Sequence, residues 1–335
     1  MIIQEGRARI FVENINEKGP GRIQGVFYNR EMVFNRDSTI FLLKNLGVRN
    51  ALDATAATGV RGIRMILEAS VNTVINDSDS HAYEIILKNV ELNGIRARVE
   101  NRDANSLMAE NRYDYVDIDP FGSPVPFIDI ALRSGRILGI SATDTATLSG
   151  RNARIKRRYL ADIQGLRGNH EIGVRVLLGY IGRMAARFDL GIAPIFSFWR
   201  KHAYRVYVRV KRGVGNAKKT MNNIRNTPLG GPLWVGDLHD FEFLKNAKVP
   251  DIPTRKEFEK MLSLWKNEKF FLYYSIPEIC SELHTSQPQI KEIIEKLREI
   301  GYEAYRTHFS PQGVRTNAPR DEIARVITSL AEKSK

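Results

Sequence analysis

Between residues 38 and 142 the apolar positions repeatedly change period, from helical spacing to that of a buried strand and back. The pattern predicts a helix over 38–46, a strand over 50–54 running into a loop at 55–59, and a helix over 62–69. A strand follows at 71–76. Next comes a helix over 80–93 that stops at Gly94, a residue suited to a left-handed C-terminal cap. Short strands are predicted at 98–101 and 113–118, a helix at 124–133 and a strand at 136–142. Strands alternating with helices in this way build a doubly wound, mostly parallel sheet of the α/β class. Residues 1–37 read instead as short strands and turns, with Gly19-Pro20-Gly21 among them.

Further on, a helix is predicted at about 171–188 and strands at about 192–199 and 203–212. The last strand alternates: Tyr204, Val206, Val208 and Val210 fall on one side, and Arg205, Tyr207, Arg209 and Lys211 on the other. A terminal antiparallel pair beside parallel strands suits a seven-stranded, Rossmann-like class I methyltransferase sheet better than a dehydrogenase. Residues 213–232 are rich in Gly, Asn and Lys and read as a linker. They divide a first domain at 1–212 from a smaller α+β domain at 233–335. In that domain, helices at 275–283 and 287–300 are joined by a polar turn at 284–286. A hairpin at 306–316 follows, with Gly313 in its turn. The order resembles a winged helix, a module that binds nucleic acid or protein.

A length of 335 residues accommodates two domains, and 43% hydrophobic with 27% charged residues excludes disordered and fibrous classes. No apolar run is long enough to cross a membrane, and residues 1–9 lack a signal-peptide core, so a cytoplasmic protein is expected. Cys280 is the sole cysteine, which excludes a disulfide framework or a cysteine zinc site within one chain. The six histidines form no HxxxH pair, so no metal is expected. Charge is more telling. The net charge is +13, and residues 151–212 carry 15 Lys and Arg against three acids. A solvated face usually mixes both signs; this imbalance points to a phosphate backbone, led by Arg151, Arg154, Lys156, Arg157 and Arg158.

Candidate chemistry sits at the predicted strand ends. Asp53-Ala-Thr-Ala-Ala-Thr-Gly59-Val-Arg61-Gly62 joins a strand to a helix, where small residues let backbone approach a ligand. It matches neither a dinucleotide fingerprint nor a P-loop, and taken alone it also reads as a tight turn. Asp77 closes the next strand, at the spacing of an acid that accepts both ribose hydroxyls, or else it caps a helix; Asp79 is the better cap. Asp103-Ala104 can meet an adenine amino group and ring nitrogen, or form a plain loop. Asp117-Ile-Asp119-Pro120-Phe121-Gly122 is the most informative stretch. An acid, a proline and an aromatic at this strand end resemble the (D/N/S)PP(Y/F) motif of enzymes that methylate exocyclic nitrogens. An aromatic amine is a poor nucleophile, because its lone pair is delocalised into the ring. A carboxylate and a rigid carbonyl that hold its N–H groups turn that pair toward an electrophile. Asp119 can also accept the departing proton.

Taken together, these segments resemble the tRNA (guanine-26, N2)-dimethyltransferase family in its archaeal form. The resemblance runs through 26–32 (VFYNREM), 34–37 (FNRD), 53–64 (DATAATGVRGIR), Asn76-Asp77, 117–124 (DIDPFGSP), 142–146 (ATDTA) with Leu148 and Gly150, and 230–234 (GGPLW). It implies transfer of one and then a second methyl group from S-adenosylmethionine to N2 of guanine 26 in tRNA. It further implies donor contacts from Arg36, Asp53, Arg61, Asp77, Asp103 and Ala104, and a guanine amine held by Asp119 and Pro120. Phe27 and Phe121 would sandwich the base, with Asp144 near the pocket and Gly122 and Ser123 leaving room for a methylated amine. A guanine stacked between tRNA arms must be extruded to react. Some relatives insert a four-cysteine zinc ribbon before the GPLW segment; this chain lacks those cysteines, so no zinc is expected. Another RNA or DNA exocyclic-amine N-methyltransferase, or a non-catalytic RNA-binding protein, are the alternatives.

Overall fold

The computed structural model describes residues 1–16, 27–163 and 170–333. Seven strands form its central sheet: β1 (Asn50–Asp53), β2 (Asn72–Asn76), β3 (Arg98–Glu100), β4 (Tyr113–Ile118), β5 (Gly135–Ala142), β6 (Leu190–Arg200) and β7 (Ala203–Arg212). Their order is β6-β7-β5-β4-β1-β2-β3. All pairs from β5 to β3 are parallel, and β7 runs antiparallel to both β5 and β6. The expected mostly parallel seven-stranded sheet is therefore present, with its antiparallel pair at one end.

Because side chains alternate along a strand, each strand serves two layers. Leu52, Val116, Ile118, Leu138, Ile140, Val206 and Val208 face one side. There they pack with α4 (Ala104–Glu110), α5 (Val125–Ser134), α6 (Thr145–Leu148), α7 (Arg154–Arg158) and α8 (His170–Ala186). Ala51, Tyr115, Ile137 and Tyr207 face the other side. They meet α1 (Val33–Leu46), α2 (Val60–Ala69) and α11 (Arg255–Trp265). Helix α3 (Ser80–Leu92) packs beside an N-terminal hairpin, Ile2–Glu5 with Ala8–Phe11. Asp79 caps α3 by accepting from the amides of His81 and Ala82, and Gly94 follows with φ +60°.

Two expectations, the start of the first helix and the 213–232 linker, need correction. Helix α1 begins at Val33, five residues before its predicted start, because Asn35, Arg36 and Asp37 point inward to polar partners and hide the apolar period. Helix α4 is capped by Asp103 and is too short to show a period in sequence. Residues 213–232 are not a loose connector: α9 (Val214–Asn222), β8 (Ile224–Thr227) and the start of β9 (Gly230–Trp234) lie there, packed against α8 and β6. Gly191 permits this, since a Cβ on it would stand 2.3 Å from the carbonyl oxygen of Asn216. On the polar side of β7, Arg205 and Tyr207 are fully buried, Arg209 is half-buried and Lys211 is exposed.

After α10 (Phe241–Asn246) and α11, the chain forms β10 (Tyr274–Ser275), α12 (Ile276–Glu282), α13 (Ile290–Glu299), β11 (Ala304–Arg306), β12 (Gly313–Thr316) and α14 (Arg320–Lys333). Two helices followed by a hairpin reproduce the predicted order, with Gly313 opening β12 rather than forming the turn. Ile279, Ile293, Leu297, Val314, Ile323 and Ile327 give this unit its own core. A buried polar joint ties it to the sheet domain: Arg315 donates to Glu171 at 2.7 Å, and Glu171 also pairs with Arg175. Nearby, Glu268 meets His239 at 3.1 Å and His308 at 2.7 Å. No described helix is long and apolar enough to cross a membrane.

Candidate active site

A cavity of about 160 Å³ opens at the C-terminal ends of β1, β4 and β5, lined by Tyr28, Asn29, Arg36, Asp53, residues 55–58, Arg61, Asp119, Pro120, Phe121, Thr143 and His202. A larger groove, lined by Arg112, Arg133, Arg136 and Arg212, lies at the opposite ends of the strands. Ligands of wound α/β sheets bind beyond the carboxyl ends, which favours the smaller cavity.

The loop after β1 is shaped by backbone bonds. The amide of Ala54 donates to the Asp117 carbonyl at 3.0 Å, and that of Ala56 to the Asn76 carbonyl at 2.9 Å. Gly59 has φ +76° and leaves the N-terminus of α2 without a side-chain cap. Gly62 lets that helix sit on the sheet: a Cβ there would stand 2.7 Å from Ile75 Cγ1. Its amide donates to Asp53 Oδ2 at 2.9 Å. The result is a small-residue cradle ending in free helix N–H groups, suited to a polar ligand.

Behind the cradle lies a buried ionic network. Arg61 pairs with Asp119 and, at 3.2 Å, with Asp117, and it donates to Thr39 at 2.8 Å and Asn35 at 3.0 Å. Arg205 pairs with Asp117 from the far side and donates to Ser141 at 2.9 Å. Burial pushes the Asp119 carboxyl up, but the guanidinium groups of Arg61 and Arg205 outweigh it and hold the group below its ordinary value. Asp53 behaves oppositely: burial, with Asp117 adding, pushes it up to about 7 despite Arg61. The side chain of Asp119 is 18% exposed, that of Asp117 not at all, so Asp119 is the carboxylate presented to the cavity. Phe121 stands at the mouth, 56% exposed.

The other expected residues are placed as follows. Arg36 lines the cavity, already paired with Glu5 at 2.5 Å and held 4.8 Å over the Tyr28 ring. Asp77 follows β2 and accepts from the Ala57 amide at 2.8 Å and the Asp79 amide at 3.0 Å. Asp103 caps α4 from an exposed position, and Ala104 is buried behind it; neither lines the cavity. Asp144 sits beside Thr143 and accepts from Arg158 at 2.9 Å and from the Tyr159 hydroxyl at 2.8 Å, tying the basic turn to the cavity rim. Phe27 belongs to the strand Phe27–Asn29, but its side chain lies outside the described residues, as do Val26, Gly19-Pro20-Gly21 and Arg167. In the basic segment, Arg151, Arg154, Lys156 and Arg157 are exposed, whereas Arg175 and Arg205 are buried ion-pair members and add nothing to a surface.

Sequence reasoning missed Glu5, Asn35, Thr39, Thr143, His202 and Arg205. Asn35 and Thr143 fall within the 34–37 and 142–146 segments quoted above, and Arg205 left a faint signal as a charge between tyrosine and valine. The partners of the others are far away in the chain.

A family model described as N2,N2-dimethylguanosine tRNA methyltransferase matches residues 6–228 and 224–328. The tRNA (guanine(26)-N(2))-dimethyltransferase of Thermoplasma volcanium is 36% identical, covering 99% of this chain and 100% of its own length. The enzyme of the same description from Pyrococcus horikoshii is 36% identical over 98% of each chain. The solved complex of Trm1 from Pyrococcus horikoshii with S-adenosyl-L-methionine superposes with a TM-score of 0.87 at 35% identity, covering 98% of this chain and 99% of that one.

Proposed function

The chain belongs to the N2,N2-dimethylguanosine tRNA methyltransferase family, and from that membership we propose that it methylates N2 of guanine 26 in tRNA, once or twice, with S-adenosyl-L-methionine as donor. The carrying observation is Asp119: an ionised, partly exposed carboxylate beside Pro120, with the Phe121 ring at the cavity mouth. The cradle fits the donor, because a side chain at Gly62 would displace the helix end that faces it. In this reading Arg36 and Arg61 serve the methionine carboxylate, Asp77 the ribose, Asp103 and Ala104 the adenine, and Asp53 holds the turn through Gly62.

When bound, the donor supplies a methyl group on a sulfonium: the N2 lone pair forms the new N–C bond while the C–S pair returns to sulfur. The chain's part is positioning. Asp119 and the Pro120 carbonyl hold the amine N–H groups, so that the lone pair points at the electrophile. Alkylated N2 loses its proton readily, because deprotonation restores conjugation of its lone pair with the purine ring, so ionised Asp119 can accept that proton and release it to water. Phe121, with Phe27, replaces the stacking an extruded guanine loses. Nothing lies within 4 Å of where a Cβ on Gly122 would stand, which leaves space for a monomethylated amine. Arg151, Arg154, Lys156, Arg157 and Arg158 approach the backbone phosphates, and Asp144 anchors that turn through Arg158.

The test is methyl transfer to a transcript carrying guanine 26. Asp119→Ala is expected to reduce transfer by a factor of roughly 10² or more while donor binding, read by calorimetry, persists. Unchanged turnover in that variant would refute the assignment.

A further inference from the structure

Asp119 has Arg61 as its ion-pair partner; Arg61 also pairs with Asp117, and Asp117 pairs in turn with Arg205. Arg205 lies on β7 with no exposed surface. Its guanidinium reaches Asp117, Ser141 at 2.9 Å, Thr39 at 3.1 Å and the Tyr115 hydroxyl at 3.1 Å. Space is cleared for it. Gly139 stands opposite Tyr207, and a Cβ there would come within 2.1 Å of the Tyr115 hydroxyl and 2.6 Å of the Arg205 guanidinium. Burying charges in a sheet that apolar side chains would fill costs several kcal/mol per ion, so the arrangement calls for a role.

The network also balances. Asp117 and Asp119 pair with Arg61, and Asp117 also pairs with Arg205, so two carboxylates meet two guanidinium groups. Asp119 is then an anion, able only to accept hydrogen bonds. Guanine presents two adjacent donors, N1–H and N2–H, to such a group. Adenine presents a donor, N6–H, beside a bare N1, and matches a protonated carboxyl instead.

We propose that Asp117 and Arg205 are positioning residues for base selection: acting through Arg61, they hold Asp119 as a fixed, ionised acceptor that takes guanine and rejects adenine. This rests on the methyltransferase reading above.

The charged and titratable groups around Asp119 are Tyr28 from the strand Phe27–Asn29, Asp53 from β1, Asp117 and Tyr115 from β4, Arg61 from α2, Arg36 from α1, Arg205 and Tyr207 from β7, and His202 from the β6–β7 turn. The experiment compares the parent with Arg205→Met and Arg205→Lys. It measures methyl transfer to a guanine-26 transcript, and binding of guanine-26 and adenine-26 transcripts, from pH 5.5 to 8.5. In the parent, the guanine-over-adenine binding ratio is expected to hold across this range. In Arg205→Met the cation support of Asp119 weakens, so that ratio should fall roughly tenfold from pH 8.5 to 5.5 and transfer should gain an acid limb. Donor affinity should stay within about threefold by calorimetry, and Arg205→Lys should restore much of the ratio. His202→Gln in the same background removes the imidazole that lines the cavity. If Arg205→Met does not fold, Tyr115→Phe removes one hydroxyl from both Arg205 and Asp117 and should shift the ratio in the same direction, to a smaller extent. A ratio that stays flat with pH in a folded variant, with transfer lowered equally at every pH, would overturn the proposal. A parent that leaves guanine 26 unmodified would instead overturn the methyltransferase reading.

Discussion

Replacing Glu5 by Gln tests whether the buried charges that anchor the cavity wall stabilise the fold. Glu5 is 3% exposed and accepts from Arg36 at 2.8 and 2.5 Å, from Arg64 at 2.7 Å and from the Tyr28 hydroxyl. Burial pushes its carboxyl up, but Arg36 and then Arg64 prevail and bring it from 4.5 to about 2. At about 1.4 kcal/mol per unit, this corresponds to roughly 3 kcal/mol of stability at neutral pH. Breaking a buried pair from one side costs a similar amount, about 3–5 kcal/mol. Here Arg64 keeps Asp37 and Glu68, and Arg36 keeps the Asn29 carbonyl, so the lower end applies. Glu5→Gln should therefore lose about 3 kcal/mol in urea unfolding at pH 7. The sign of its pH dependence follows from the depressed value: the stabilisation is complete above pH 4.5 and is lost as pH falls toward 2. The gap between parent and variant should hold from pH 8 to 4.5 and narrow below. A variant within about 0.5 kcal/mol of the parent at pH 7, or a gap already closing between pH 8 and 6, would refute the reasoning.

Two further outcomes are expected. Phe121→Ala should leave stability within about 0.5 kcal/mol, since the ring is 56% exposed; the loss of one base-stacking contact, worth about 1–3 kcal/mol, should lower kcat/KM for the guanine-26 transcript by roughly 5- to 150-fold. Arg154→Gln with Arg157→Gln should weaken tRNA binding and reduce the slope of log K against log salt by about 1 to 2, with donor affinity unchanged; an unchanged slope would remove these side chains from the phosphate contacts.

What the chain revealed by itself divides along physical lines. Strands β4 and β7 coincide with the predicted 113–118 and 203–212, because a buried strand writes its period locally. The first turn of α1 was missed because Asn35, Arg36 and Asp37 are buried polar residues, and periodicity assumes that polar means exposed. The Gly- and Lys-rich stretch 213–232 looked like a connector, yet glycines at 182 and 191 elsewhere in the chain let it pack. At the site, the 55–58 loop, Arg36, Arg61, Asp119 and Phe121 line one cavity, and Asp103 caps α4. Glu5 and Arg205 gave little sign because their partners lie 31 and 88 residues away, and ion pairing at such separations has no local pattern.

The alternation of side chains gives these observations a common cause. On β4, Val116 and Ile118 join the apolar layer under α5 and α8, while Tyr115 and Asp117 face α1 and α2. On β5 the same split separates Leu138 and Ile140 from Gly139 and Ser141, and on β7 it separates Val206 and Val208 from Arg205 and Tyr207. One set of strands thus carries an uninterrupted apolar core on one face and a charged scaffold on the other. The apolar face offsets the cost of the buried ions, and the rigid ladder holds those ions in register. Among the described residues this scaffold reaches the cavity where β4 ends, at Asp119, which is held by Arg61 and, behind it, by Asp117 and Arg205, two residues that do not line the cavity. Substitutions on the apolar face should accordingly lower stability without altering base preference. Substitutions at Asp117 or Arg205 should alter base preference even in molecules that remain folded.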